Sequence, residues 1–83
     1  MLLEVTNEDI QEATRSLNNC LIARDTKRVC DGMVIVGTDY IYVEKGGRRR
    51  TFRLPAIARE LVRSFDRGEE VLPLIFEAEE FMV

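Results

Sequence analysis

The chain has 83 residues, 46% of them hydrophobic and 33% charged, with a formal net charge of −3. That makes one domain, residues 1–83, with one modest core; it is too apolar for a disordered chain and too short for a second core. It contains no histidine, which removes His-based general acid–base catalysis, His-containing triads and His metal sites.

Leu3 to Val5 suits a short opening strand. Thr6-Asn7-Glu8-Asp9 then reads as a helix start. A Thr6 N-cap hydroxyl can accept from the backbone of Asp9, and acids in the first turn complement the helix dipole. Val5 and Ile10 fall at the two positions of a hydrophobic staple. Ile10, Ala13 and Leu17 continue at helical spacing, so the helix is expected to end near Asn18-Asn19. Cys20 to Ala23 is a compact apolar run, followed by the wholly polar Arg24 to Arg28. A second short helix capped by Asn18 or Asn19 fits this stretch, and a strand is the alternative for so short a run. Cys20 and Cys30 lie in or beside apolar runs. Two cysteines do not make a disulfide framework; both are expected as buried free thiols, with a single bridge as the alternative.

Met33 to Val36 is apolar and β-branched, as a buried strand requires. Gly37-Thr38-Asp39 is a turn, and Tyr40 to Glu44 a second strand. Gly46-Gly47 makes a two-residue hairpin loop, because both glycines tolerate positive φ, and Arg49 to Leu54 returns as a third strand. Pro55 fits the first position of a helix. Ile57, Ala58, Leu61, Val62 and Phe65 form its amphipathic stripe, and Gly68 stops it. Val71 to Phe76 is a last strand, placed at a sheet edge by Pro73 or begun after it. The order strand, helix, helix, three-strand meander, helix, strand defines an α+β fold. The expected architecture is a small antiparallel or mixed sheet with helices on one face.

The hairpin carries the most information. With Gly46-Gly47 as the loop, Tyr40 faces Arg53, Ile41 faces Phe52, Tyr42 faces Thr51, Val43 faces Arg50, Glu44 faces Arg49 and Lys45 faces Arg48. Alternation sends Ile41, Val43 and Phe52 to the core and shows Tyr40, Tyr42, Glu44, Arg49, Thr51 and Arg53 on the other side. Tyrosine and arginine are enriched at binding hot spots, and the same mix can stack bases and touch phosphates. A sheet face merely dressed in amphipathic side chains, or one hidden under a helix, would read the same way. Arg59, Arg63 and Arg67 recur at i, i+4, i+8 and form a ridge on the last helix. Glu60 and Asp66 offer it partial relief, and the acidic stretch Glu69 to Glu80 can supply the rest.

Charge is segregated along the chain. Residues 1–44 hold four basic and eight acidic side chains, residues 45–67 eight and two, and residues 68–83 none and five. The blocks either neutralise each other in the fold or leave a basic patch for a partner. Nothing near Cys20 or Cys30 would activate a nucleophile. Glu69-Glu70 and Glu79-Glu80 read as solvated acids, and Gly46-Gly47 joins two strands instead of opening a phosphate-binding helix. The expectation is therefore a protein that is not an enzyme and carries no cofactor or metal. Met1-Leu2-Leu3 meets Glu4 at once, without a basic leader, and no apolar run approaches the ~20 residues of a membrane span. A cytoplasmic protein with no membrane partner is expected.

Several blocks together resemble a family of short proteins encoded by tailed bacteriophages and prophages. They are Val5-Thr6 with Asp9-Ile10, Cys20-Leu21-Ile22-Ala23, Phe52-Arg53-Leu54-Pro55, Ala58-Arg59, and Phe65-Asp66-Arg67-Gly68 followed by Val71, Pro73 and Phe76. The last block, Phe-Asp-x-Gly and then Val-x-Pro, is the most specific. This chain has Leu21 where those relatives often have proline, and Leu74 where they often have phenylalanine; both swaps keep an apolar position. The family has no established activity, so no functional residue carries over. The resemblance implies a small non-catalytic binder that inhibits or modulates a host protein complex, host-defence systems such as CRISPR included. Its candidate binding residues are Tyr40, Tyr42, Arg49, Arg53, Arg59 and Arg63. Nucleic-acid binding by the hairpin and ridge, or a structural homo-oligomer, are the alternatives.

Overall fold

The computed structural model describes residues 1–13 and 20–81. The opening strand β1, Leu2–Val5, is stopped by Thr6, which caps α1, Asn7–Glu12. The Thr6 hydroxyl accepts from the Asp9 backbone at 3.2 Å, and the Asp9 carboxylate accepts from the Thr6 backbone at 2.9 Å. This reciprocal pair is a capping box, with Asp9 in the role usually taken by Glu or Gln. The helix is shorter than its sequence spacing suggests, because Ala13 is already extended, with ψ 149°. Leu17 and the expected stop at Asn18-Asn19 lie outside the described residues.

The apolar run after it is a helix and not a strand: α2 spans Leu21–Val29. Its N-cap is Cys20 instead of Asn18 or Asn19, and Cys20 makes no side-chain capping bond. What holds α2 is burial of Leu21, Ile22 and Ala23, together with a polar anchor. Arg28 grips the buried Asp9 through both terminal nitrogens and donates to the Glu4 carbonyl at 2.9 Å, tying α2 to α1 and β1. Both cysteines are free thiols, Cys20 buried and Cys30 only half-buried. Cys30 donates its S–H to Met1 Sδ at 3.3 Å, so the expectation of two buried thiols holds for one.

The meander is β2 Met33–Val36, β3 Tyr40–Lys45 and β4 Arg48–Arg53. Gly46 and Gly47 take φ of 58° and 77°. Two successive left-handed residues match the twist of the flanking strands. The β3–β4 register is the one read from the sequence, from Tyr40↔Arg53 to Lys45↔Arg48. Pro55 is the N-cap of α3, Ala56–Asp66, one position earlier than expected. Ala58 on that helix is buried, with Leu61, Val62 and Phe65 partly so. Ile57 is 57% exposed and drops out of the expected stripe.

The chain then forms β5, Leu74–Glu77, which starts just after Pro73, and β6, Glu79–Glu80. These two strands belong to different sheets. β5 pairs antiparallel with β1, while β6 extends a four-stranded antiparallel sheet in the order β2-β3-β4-β6. One sheet was expected, and two are present. The pivot is the buried Ala78, whose N–H and C=O both bond to Met1, at 2.8 and 2.7 Å. One residue later the chain has crossed to β4.

The core lies between α2, the small β1–β5 sheet and the inner face of the larger sheet. Leu3, Val5, Ile22, Val34, Ile41, Phe52, Leu54 and Phe76 fill it. The result is an α+β fold. No helix among the described residues is long and apolar enough to cross a membrane.

Candidate binding face

Strand alternation builds the outer face of the four-stranded sheet. Ile41, Val43 and Phe52 point to the core, so Tyr40, Tyr42, Glu44, Arg49, Thr51 and Arg53 must point away. Glu44, Arg49 and Arg53 are exposed; Tyr40, Tyr42 and Thr51 are half-buried against one another. The neighbouring strand adds Met33 opposite Glu44 and Ile35 opposite Tyr42. Met33 is 63% exposed, so an apolar rim borders the aromatic row.

The rings and guanidinium groups form a continuous array. Tyr40 and Tyr42 lie 6.3 Å apart between centroids, tilted at 41°. Phe81, just beyond β6, lies 5.9 Å from Tyr40 and tilts at 55°. Arg49 sits 5.5 Å over the Tyr42 ring and Arg53 sits 5.8 Å over Phe81. Tilted pairs and guanidinium-over-ring contacts are the favourable geometries for these groups. Tyr40 beside Arg53 also pushes the pKa of that guanidinium up.

Most of the cations have acids from the same chain within reach. Arg49 meets Glu44 at 3.5 Å, Arg59 meets Asp39 at 3.3 Å, Arg63 meets Glu60 at 2.8 Å and Arg67 meets Glu69 at 3.0 Å. Glu79 is the β6 partner of Arg53. Arg50 holds Glu80 through two nitrogens at 3.0 and 2.8 Å, which lowers the Glu80 pKa. The arginine ridge is thus neutralised within the chain, by Glu60 and Glu69 as expected and by Asp39, which the sequence does not single out. Asp66 makes none of these ion pairs.

Of the six candidate residues, Tyr40, Tyr42, Arg49 and Arg53 come together on one face. Arg59 reaches the Tyr40 end through Asp39, whose carbonyl accepts from Leu54 at 2.9 Å. Arg63 pairs along its own helix with Glu60 at 2.8 Å. Sequence reasoning missed Met33, Ile35 and Phe81. The first two follow from strand order, which is not local information. Phe81 carries a faint signal, a lone aromatic directly after the acids Glu79 and Glu80.

This surface can stack, pair charges and exclude water; it offers little for chemistry. Burial pushes the Cys20 thiol up, away from a reactive thiolate. Among the described residues no group of three His, Cys, Asp or Glu side chains is placed to hold a metal ion. Compared with known protein families, curated proteins and solved structures, the chain matches none.

Proposed function

We propose that the protein is a non-catalytic binder that docks a host protein complex through the outer face of its four-stranded sheet and inhibits or modulates it. The observation that carries this reading is the composition of the face. Aromatic rings and arginines lie side by side, bordered by exposed Met33, while acids of the same chain offset the cations. Such a face can bury apolar area and satisfy polar groups of a protein partner, and it lacks the surplus positive charge of a phosphate track. The resemblance to phage-encoded proteins read from the sequence supports a bacterial cytoplasmic partner as part of this proposal, with host-defence complexes among the candidates.

The test is capture of partners from bacterial lysate on the immobilised protein, repeated with Tyr42→Ala and Arg49→Ala. Each substitution should weaken capture of the same partner by about tenfold or more. Capture that neither substitution changes, or no capture at all, would sink the reading.

Nucleic-acid binding is the second reading, favoured by the three clustered rings Tyr40, Tyr42 and Phe81. Fluorescence anisotropy with single-stranded oligonucleotides should show no binding at low salt. Binding that falls steeply with salt and with Arg49→Ala or Arg53→Ala would replace the first reading with this one.

A further inference from the structure

The last described strand is an unusual guest on its sheet. β4 reads Arg48-Arg49-Arg50-Thr51-Phe52-Arg53 and is six residues long. Its neighbour β6 is two residues long, and only Phe52↔Glu80 and Arg53↔Glu79 are paired. A third backbone contact follows, from the Phe81 N–H to the Thr51 carbonyl at 2.7 Å. The side chains divide by face, as strand alternation demands. Glu80 reaches Arg50, which also lies over the Phe52 ring at 5.0 Å. Phe81 turns to the outer face, against Tyr40 and Arg53.

The chemistry is complementary throughout: an acidic strand ending in an aromatic ring lies along an arginine-rich edge. Little fixes it there. Both members of the Arg50–Glu80 pair have substantial exposure, 56% and 35%, and Phe81 is 44% exposed. Solvent screens such pairs, and a two-residue ladder is short for a strand. On the inner side of the hairpin tip, Lys45, Arg48 and Arg50 line a cleft of about 820 Å³ together with Glu80 and Asp31. Of these cations, only the side chain of Arg48 has no hydrogen-bond or ion-pair partner among the described residues. Positive charge therefore continues along the edge beyond the reach of Glu80.

We propose that the β4 edge is a strand-addition site for an acidic extended segment of a partner protein, Glu-Glu-aromatic in pattern, and that residues 79–81 occupy it as an intramolecular stand-in. Main-chain pairing would supply the affinity, and the alternation of acid and ring the specificity. The inference rests on the reading of this sheet as the docking surface, and it names the kind of segment that surface accepts. It also makes the chain's own tail a competitor: the partner gains access in proportion to the fraction of molecules whose tail is displaced.

The test uses the full chain and a fluorescein-labelled peptide of sequence Glu-Ala-Glu-Glu-Phe-Met-Val. A double variant, Glu80→Gln with Phe81→Ala, weakens the stand-in without touching β4. It should bind the peptide about tenfold tighter than the wild type. Adding Arg50→Glu to that background should remove the gain, and a peptide with lysine in place of each glutamate should not bind. Equal affinity for wild type and double variant, or no binding by a double variant with native circular dichroism, overturns the proposal. So does a wild-type dimer that becomes monomeric in the double variant, because the edge then belongs to a second copy. Tyr42→Ala separates the two readings. It should weaken partner capture and leave peptide binding unchanged. Loss of capture with no peptide binding in any variant sinks strand addition alone; peptide binding with capture unaffected by Tyr42→Ala sinks the outer face alone.

Discussion

Asp9 joins α1 to α2, and through Arg28 to β1, from a position with no solvent exposure. It caps α1 through Thr6, takes both terminal nitrogens of Arg28, one at 2.6 Å, and lies 3.4 Å from Arg24 Nε. These hydrogen bonds, that of Arg28 foremost, hold its pKa well below the usual carboxylate range. Arg28→Ala would leave a buried carboxylate with the Thr6 backbone bond and, of the two cations, only the weaker Arg24 contact. It should cost about 2–3 kcal/mol, read as a lower urea midpoint without loss of cooperativity. Asp25 behaves in the opposite sense. It is 2% exposed, and burial lifts its pKa from 3.8 to about 6, against the pull of the Glu4 backbone and Arg28. Its folded form therefore holds a proton more tightly than the unfolded chain does. The resulting stabilisation is complete below about pH 4 and is lost as the pH rises through about 6. The Asp9 contribution has the other sign: present above pH 3.8, lost as the pH falls below it. Asp25→Asn should accordingly raise the melting temperature at pH 7.5 and give no gain at about pH 3, below both the unfolded and the folded pKa. A variant melting below wild type at both pH values would contradict this account. In the sequence, Thr6 and Asp9 were legible as a cap, because a cap is a local pattern. Arg28 was not legible as the partner of Asp9, since nineteen positions separate them and only the packing of α2 on β1 brings them together.

At the scale of elements, the hairpin was the most legible part of the chain. Period-two alternation and a Gly-Gly loop leave one register that buries Ile41, Val43 and Phe52 together. The candidate face followed from that register, which is why Tyr40, Tyr42, Arg49 and Arg53 emerge side by side. β1 and β5 were read as strands, but nothing in a four-residue apolar run specifies its partner. Their pairing in a separate sheet was therefore hidden, as was the two-residue β6. Gly32 shows how much a strand junction depends on one residue. It has φ of 115°, and a Cβ there would stand 2.5 Å from the Glu44 carbonyl oxygen. Gly32→Ala should force β2 away from β3 and cost about 2–3 kcal/mol in chemical denaturation. Gly46, with φ of 58° and nothing within 4 Å of where a Cβ would stand, offers the contrast. Gly46→Asn should be nearly neutral, since Asn accepts the left-handed region in hairpin loops.

On the scale of the whole molecule, the charge segregation of the sequence is largely undone by folding. Lys45 meets Asp31, Arg50 meets Glu80 and Arg59 meets Asp39 across distant parts of the chain. The basic block was legible, but its neutralisation was only one of two readings until the fold placed the acids. These pairs are exposed, so each contributes little to stability. Raising sodium chloride from 0.05 to 1 M, two concentrations chosen about a decade apart to screen them, should move the melting temperature by less than the ~4 °C that 1 kcal/mol would produce. A larger fall would assign the pairs a structural role. The pairing of β1 with β5 bears on how the chain is made. Leu3 sits opposite Phe76, so β1 leaves the ribosome long before the strand it pairs with. At ordinary translation speeds that interval is roughly 4–14 s. During it Leu3 and Val5 lack their strand partner, while the β3–β4 hairpin can already close through short-range contacts. Pulse-labelled hydrogen exchange should find the amides of β3 and β4 protected before those of β1. The newborn protein thus has a window in which an apolar strand is open to chaperones, and the length of that window is set by synthesis and not by folding.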